Sequence, residues 1–92
     1  MPKSKTTSLL GRVVATPGVL EAVPRPELMA ALTRHLHGDW GDVCESDWRR
    51  NDRAIRDMTR LFSAYHASDG TKFWIITEAD RSATTFLLPE EY

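Results

Sequence analysis

Four large apolar residues in a row, Phe73-Trp74-Ile75-Ile76, stand between two turn-forming sequences, Ser68-Asp69-Gly70 and Ala79-Asp80-Arg81-Ser82. Successive side chains of a strand point to opposite faces, so an unbroken apolar run places hydrophobic surface on both sides of a sheet. The flanking sequences are hairpin chemistry. The stretch from Arg60 to Tyr92 therefore reads as a three-stranded antiparallel meander. Its first strand runs through Thr59 to His66, its second through Thr71 to Glu78, and its third carries Phe86, Leu87 and Leu88. Pro89-Glu90-Glu91 discourages edge pairing beyond that point.

The upstream residues supply a covering layer. Leu9 to Ala15 has strand character, and Thr16-Pro17 offers an N-cap and a first helical position for a short helix through Val19 to Val23. A second helix is expected from Pro26 to His37, with Leu28, Met29, Leu32 and Leu36 on one side. Gly38 and Gly41 suit positive φ, and Trp40 between them is expected to fold back over the core. A third helix runs from about Cys44 to Met58, capped by Asp42 with Glu45 or by Ser46. Trp48, Ile55, Met58 and Phe62 share an apolar arc with Cys44.

The expected fold is α+β: an N-terminal strand, two to three helices, then the three-stranded antiparallel meander with the helices packed on one face. Residues 9–92 form one domain behind a flexible tail, Met1 to Ser8. At 92 residues a second core is excluded. One helical layer covers one sheet face. The other must meet part of Leu9 to Val23 or a second copy, and a homodimer is expected, with Tyr65, Trp74, Ile76 and Phe86 as its dimer or partner surface.

A net charge of −1 excludes a global positive field, so any nucleic-acid contact must be a local patch. The single cysteine, Cys44, cannot close an intramolecular disulfide. No apolar run is long enough to span a bilayer, so no membrane partner is expected and a reducing cytoplasm is the expected location. His35, His37, Asp39 and Cys44 are of metal-ligating type, yet residues two apart point to different helix faces and no matching pair stands elsewhere. No metal, cofactor or catalytic set is expected: nucleophile and phosphate-loop motifs are lacking, Cys44 falls on the apolar arc, and Asp69 and Asp80 belong to turns.

The clearest charge pattern is the helical stripe Arg49, Arg53, Arg56 and Arg60, with Arg50 beside it. Glu45 precedes Arg49 by four residues and Asp52 precedes Arg56 by four, the favourable order for intrahelical pairs. The stripe is either a salt-bridged solvent face or a phosphate clamp. The functional expectation is a non-enzymatic protein that contacts double-stranded DNA weakly through Arg49, Arg50, Arg53 and Arg56, with help from Lys3 and Lys5. A protein-interaction module built on Trp74 is an alternative.

The order of elements resembles toxin ribonucleases of the RelE type and the wider barnase-like group. The resemblance implies RNA cleavage by side chains on the sheet. Arg60, Tyr65, His66, Lys72, Arg81 and Tyr92 have the right chemistry, although three basic residues face five acidic ones between Arg60 and Tyr92. The phrases GDWGDV and GTKFWIITEADRSATTFLLPEEY look like a family of small plasmid-related proteins carried on proteobacterial plasmids and integrative elements. That resemblance, from Val13 onward, implies carriage on a mobile element and a cytoplasmic location, and brings no catalytic residues.

Overall fold

The structure, a computed structural model, describes residues 10–92; the expected tail, with Lys3 and Lys5, lies outside them. The chain runs β1 (Arg12–Ala15), α1 (Pro17–Ala22), α2 (Arg25–Leu36), α3 (Glu45–Asp57), β2 (Leu61–His66), β3 (Lys72–Thr77), β4 (Ala83–Leu87) and a 3-10 turn (Pro89–Glu91). The strands form one mixed sheet of order β1-β4-β3-β2. β2, β3 and β4 are the expected antiparallel meander. β1 joins it as a fourth strand, parallel to β4.

Local chemistry accounts for most boundaries. The Thr16 hydroxyl accepts from the Val19 amide, with Pro17 at the start of α1. In the β2–β3 turn Gly70 adopts φ 90° and the Asp69 carboxylate accepts from the Thr71 amide at 2.9 Å. In the β3–β4 turn Asp80 accepts from the Ser82 amide at 2.9 Å, and Arg81 takes φ 62°. These hydrogen bonds hold both carboxyls below the usual carboxylate range.

The inner face of the sheet carries Tyr65, Phe73, Ile75 and Phe86, which pack on Val19 of α1 and Leu28, Ala31 and Leu32 of α2. The inward stripe of α2 is Leu28, Ala31, Leu32 and His35, whereas Met29 and Leu36 are 57% and 42% exposed. The expected apolar face is thus rotated. His35 can take the inward place because both ring nitrogens meet buried hydroxyls: Nδ1 lies 2.5 Å from Ser63 Oγ and Nε2 lies 2.9 Å from Thr77 Oγ1.

α3 departs from expectation in a more consequential way. It rides on the outer edge of β2, not on a face of the sheet. Asn51 donates to the Phe62 carbonyl at 2.6 Å and accepts from the Phe62 amide at 3.0 Å, and Asn51 and Ala54 are the buried positions. Ile55, Met58 and Cys44, expected on the buried arc, are exposed. A helix seated on a strand edge must satisfy open backbone groups, which selects an amide over an apolar side chain.

The same edge is closed further along by the loop before α3, as the Ala64 amide donates to Trp40 O and the Asp42 amide to Ala64 O. Trp40 is buried as expected, its indole N–H donating to Asp52 at 2.9 Å. Among the described residues, the second sheet face is covered neither by Leu10 to Val23 nor by an α-helix. Ile76 and Leu87 are buried there, the 3-10 turn folds back against β3, and Tyr92 lies against Trp74.

Candidate functional site: an aromatic and cationic groove on the outer sheet face

The hairpin register sets the outer face. Phe62 pairs with Ile76, Ala64 with Trp74 and His66 with Lys72, so these six side chains project from the same side. Ala64 opposite Trp74 is small, and the indole wall is left standing beside a depression. Phe62 meets Trp74 edge to face at 5.0 Å, and Trp74 meets Tyr92 the same way at 5.8 Å.

One cleft of about 430 Å³ lies between this aromatic run and α3, bordered by Asp47, Arg50, Asn51, Thr59 and Arg60. A second, of about 260 Å³, shares Asp47, Phe62 and Trp74 with it and extends past Ala64 to Asp42, Cys44, His66 and Lys72. Together they make a continuous groove. The Arg60 guanidinium stands 5.4 Å from the Tyr92 ring centre and donates to the Tyr92 hydroxyl at 2.8 Å. At the far end His66 Nδ1 lies 2.5 Å from a carboxylate oxygen of Asp42, with Lys72 directly across the ladder. Arg50, Arg60 and Lys72 face Asp42 and Asp47, so the groove is positive by one charge with His66 neutral, in a chain whose net charge is −1.

The expected site residues are dispersed. Arg49 pairs with Glu45 at 2.7 Å, whereas Asp52 is taken by Trp40 and makes no pair with Arg56. Arg53 and Arg56 are exposed and have no ion pair among the described residues. Arg50 borders the groove, 3.9 Å from Asp47. Of the four residues expected on a dimer or partner surface, Tyr65 and Phe86 point into the core beneath α1 and α2, and Ile76 is buried on the outer face. Only Trp74 keeps partial exposure, because alternation places Tyr65 and Phe86 opposite to Trp74 and Ile76.

Four of the six residues singled out for ribonuclease-like chemistry, Arg60, His66, Lys72 and Tyr92, do meet along the groove. The other two have structural work elsewhere. The Tyr65 hydroxyl donates to Asp39 O at 2.8 Å, and burial pushes its pKa up to about 12. Arg81 binds the Ala54 and Thr59 carbonyls at the C-terminal end of α3. Phe62 and the Asp42–His66 pair were missed by sequence reasoning. Counting the ladder outward from the Gly70 turn would have placed Phe62, His66, Lys72 and Trp74 together, but nothing local brings Asp42 to His66.

The buried histidine is not part of this site. Thr84 Oγ1 donates to Leu10 O at 2.8 Å, so Thr77 must donate to Thr84, at 2.9 Å, and His35 Nε2–H must donate to Thr77. Ser63 then donates to His35 Nδ1. Burial, with the Arg81 charge adding, lowers the imidazole pKa to about 4, and the ring is a neutral structural element.

Comparison with protein-family models, with curated proteins and with solved structures returns no match.

Proposed function

We propose that the protein binds single-stranded nucleic acid in the outer-face groove. The observation that carries this reading is the run of rings Phe62, Trp74 and Tyr92 beside the Arg60 guanidinium. Unpaired bases offer stacking faces that duplex DNA hides, and base–aromatic stacking contributes about 1–3 kcal/mol per base. Arg50, Arg60 and Lys72 border the same groove as the rings and supply the positive charge that backbone phosphates would meet.

The reading moves the expected DNA contact from the arginine stripe to the sheet. Along α3, Arg49, Arg50, Arg53 and Arg56 are matched by Glu45, Asp47, Asp52 and Asp57, so a duplex laid on that helix meets as many carboxylates as guanidiniums. Arg53 and Arg56 serve better as a flank for strand leaving the groove. Carriage on a mobile element, which the resemblance implies, agrees with a protein that handles transient single strands.

The test is a tryptophan-fluorescence titration with oligo-U, oligo-dT and a duplex at several salt concentrations. Single strands are expected to bind more tightly than duplex, with a negative salt slope, and Trp74→Ala is expected to weaken binding by roughly 10-fold or more. Duplex binding that survives Trp74→Ala and is lost in the Arg53→Glu, Arg56→Glu double variant would return the function to the helix stripe.

A second reading concerns assembly. A homodimer is better served by β1 than by the Trp74 face. The Arg12 and Thr16 amides are bonded to β4, so the backbone groups of Val13 and Ala15 point outward. Val13, Val14 and Leu20 beside that edge are 44%, 37% and 46% exposed. An antiparallel pairing of two β1 strands about Val14 would face each Val13 with the partner's Ala15 and make one eight-stranded sheet.

A further inference from the structure

We infer that the protein binds a small hydrophobic monocarboxylate in a second cavity, on the inner side of the sheet, with the apolar body between α2 and α3 and the carboxylate on Arg81. The site shares no residue with the outer-face groove and does not depend on nucleic-acid binding. It measures about 220 Å³ and lies between the C-terminal ends of the two helices. Asn51 seats α3 on the edge of β2, and a wedge is left between its last turn and that of α2.

The walls are apolar. Leu36, Ile55 and Met58 border the cavity and are 42%, 56% and 53% exposed. A single exposed apolar residue is ordinary, whereas three around one opening form a patch. His35, Trp40 and Thr77 are buried beneath them, and because both ring nitrogens of His35 are taken by hydroxyls it brings no free donor or acceptor. Met58 adds an independent sign. It holds the left-handed conformation φ 55°, ψ 49° at the end of α3, which glycine adopts without steric cost. A side chain half in solvent returns little packing to the fold for that strain, and strained residues of this kind gather at ligand sites.

Arg81 sets the charge of the ligand. Among the described residues it has no ion pair, and no acidic side chain borders the cavity. Its Nη1 donates to the carbonyls of Thr59, Glu78 and Ala79 at 2.7, 3.1 and 3.2 Å, and Nη2 to the Ala54 carbonyl at 3.0 Å. These carbonyls fix the guanidinium but carry no net charge. Nε–H and one Nη2–H remain, the pair of groups with which Arg34 holds Asp39 at 2.8 and 3.1 Å. The charge reaches the floor of the cavity, since it adds to burial in keeping His35 neutral. A cationic ligand would meet like charge, and a neutral one would leave the guanidinium without a counter-ion. An apolar protein cavity of about 150 Å³ accepts benzene. The larger volume here therefore admits one ring, or an aliphatic body of similar size, with a short carboxylate arm.

The experiment follows the methyl resonances of the full chain by NMR during titration with phenylacetate, phenylacetamide and 2-phenylethylamine. Phenylacetate is expected to shift the methyls of Leu36, Ile55, Met58 and Leu61, and to bind roughly 10-fold or more tightly than the amide, with the amine weaker still. Met58→Gly is expected to weaken phenylacetate binding several-fold while melting no lower than the wild type, because glycine relieves the left-handed strain. Ile55→Glu, at an exposed position of α3, places a like charge at the mouth and is expected to weaken binding further, with thermal melts checking that the variant folds. Equal affinity for acid and amide overturns the inference, as do unchanged phenylacetate affinity in Met58→Gly, shifts confined to residues of the outer-face groove, and the absence of any shift.

Discussion

His35 sits at the end of a hydroxyl chain that accepts only one tautomer, and this single residue ties the stability of the domain to pH. Burial holds the ring neutral and lowers its pKa from 6.5 to about 4. The unfolded chain takes up the proton near its ordinary value, whereas the folded one refuses it until about pH 4. Stabilisation is therefore complete above pH 6.5 and is lost progressively as the pH falls through the window between the two values. A shift of this size amounts to about 3 kcal/mol. Urea denaturation at pH 7.0 and pH 4.5 is expected to show a clear loss of stability at the lower pH. His35→Gln, which cannot titrate, is expected to be less stable at pH 7.0 and to show a much smaller difference between the two pH values. Equal pH dependence in both proteins would mean that His35 is not sealed.

At the scale of elements the most informative one is α3. Its charge pattern was legible in the sequence, as was its extent to within a residue or so, because capping and periodicity are local properties. Its seat on the edge of β2 was not. An apolar arc through Ile55 and Met58 looks like a core face, and no periodicity rule signals that an asparagine will replace a ladder partner. Asn51→Leu keeps the bulk and removes both bonds to Phe62. It is expected to destabilise the protein by about 1–3 kcal/mol. Hydrogen exchange at the Phe62 amide, which Asn51 protects, is expected to accelerate more than that of the core of β3, and unchanged exchange at Phe62 would show that the edge is held without Asn51.

The β-meander is the opposite case. Its turns and alternation follow from Gly70, Asp69, Asp80 and the apolar runs, and the structure reproduces them, with the first two strands shorter than expected, at Leu61–His66 and Lys72–Thr77, and with Leu88 beyond the end of the third. The alternation also keeps Tyr65 and Trp74 on opposite faces, since Trp74 pairs with Ala64 and Tyr65 with Phe73. Both are aromatic, and residue type alone favoured putting them on one surface.

For the whole molecule, no α-helix among the described residues lies on the outer face, which leaves room for the groove, and the edge of β1 away from β4 has no partner strand among the described residues, which leaves room for a second copy. No helix among the described residues is long and apolar enough to cross a membrane. Light scattering is expected to report a dimer at micromolar concentration, and Val14→Lys, which places a charge at the centre of the β1 edge, is expected to shift it to monomer. A monomeric wild type would restrict function to the single groove and exclude the eight-stranded sheet.

The sequence by itself determined the parts in which each residue answers to its near neighbours: three helices, the Thr16 cap of the first of them, two hairpins, a two-sided central strand and a chain with no net basic field; the third helix starts at Cys44 with no side-chain cap, and neither Asp42 nor Ser46 caps it. Tertiary structure alone decided that β1 lies parallel to β4, that α3 closes an edge and not a face, and that Asp42 reaches His66. Those outcomes depend on contacts between residues 11 to 74 positions apart, such as Asn51 with Phe62, Asp42 with His66 and Leu10 with Thr84. Local periodicity carries no record of such contacts, because it reports which side of an element is apolar and not which partner that side will meet.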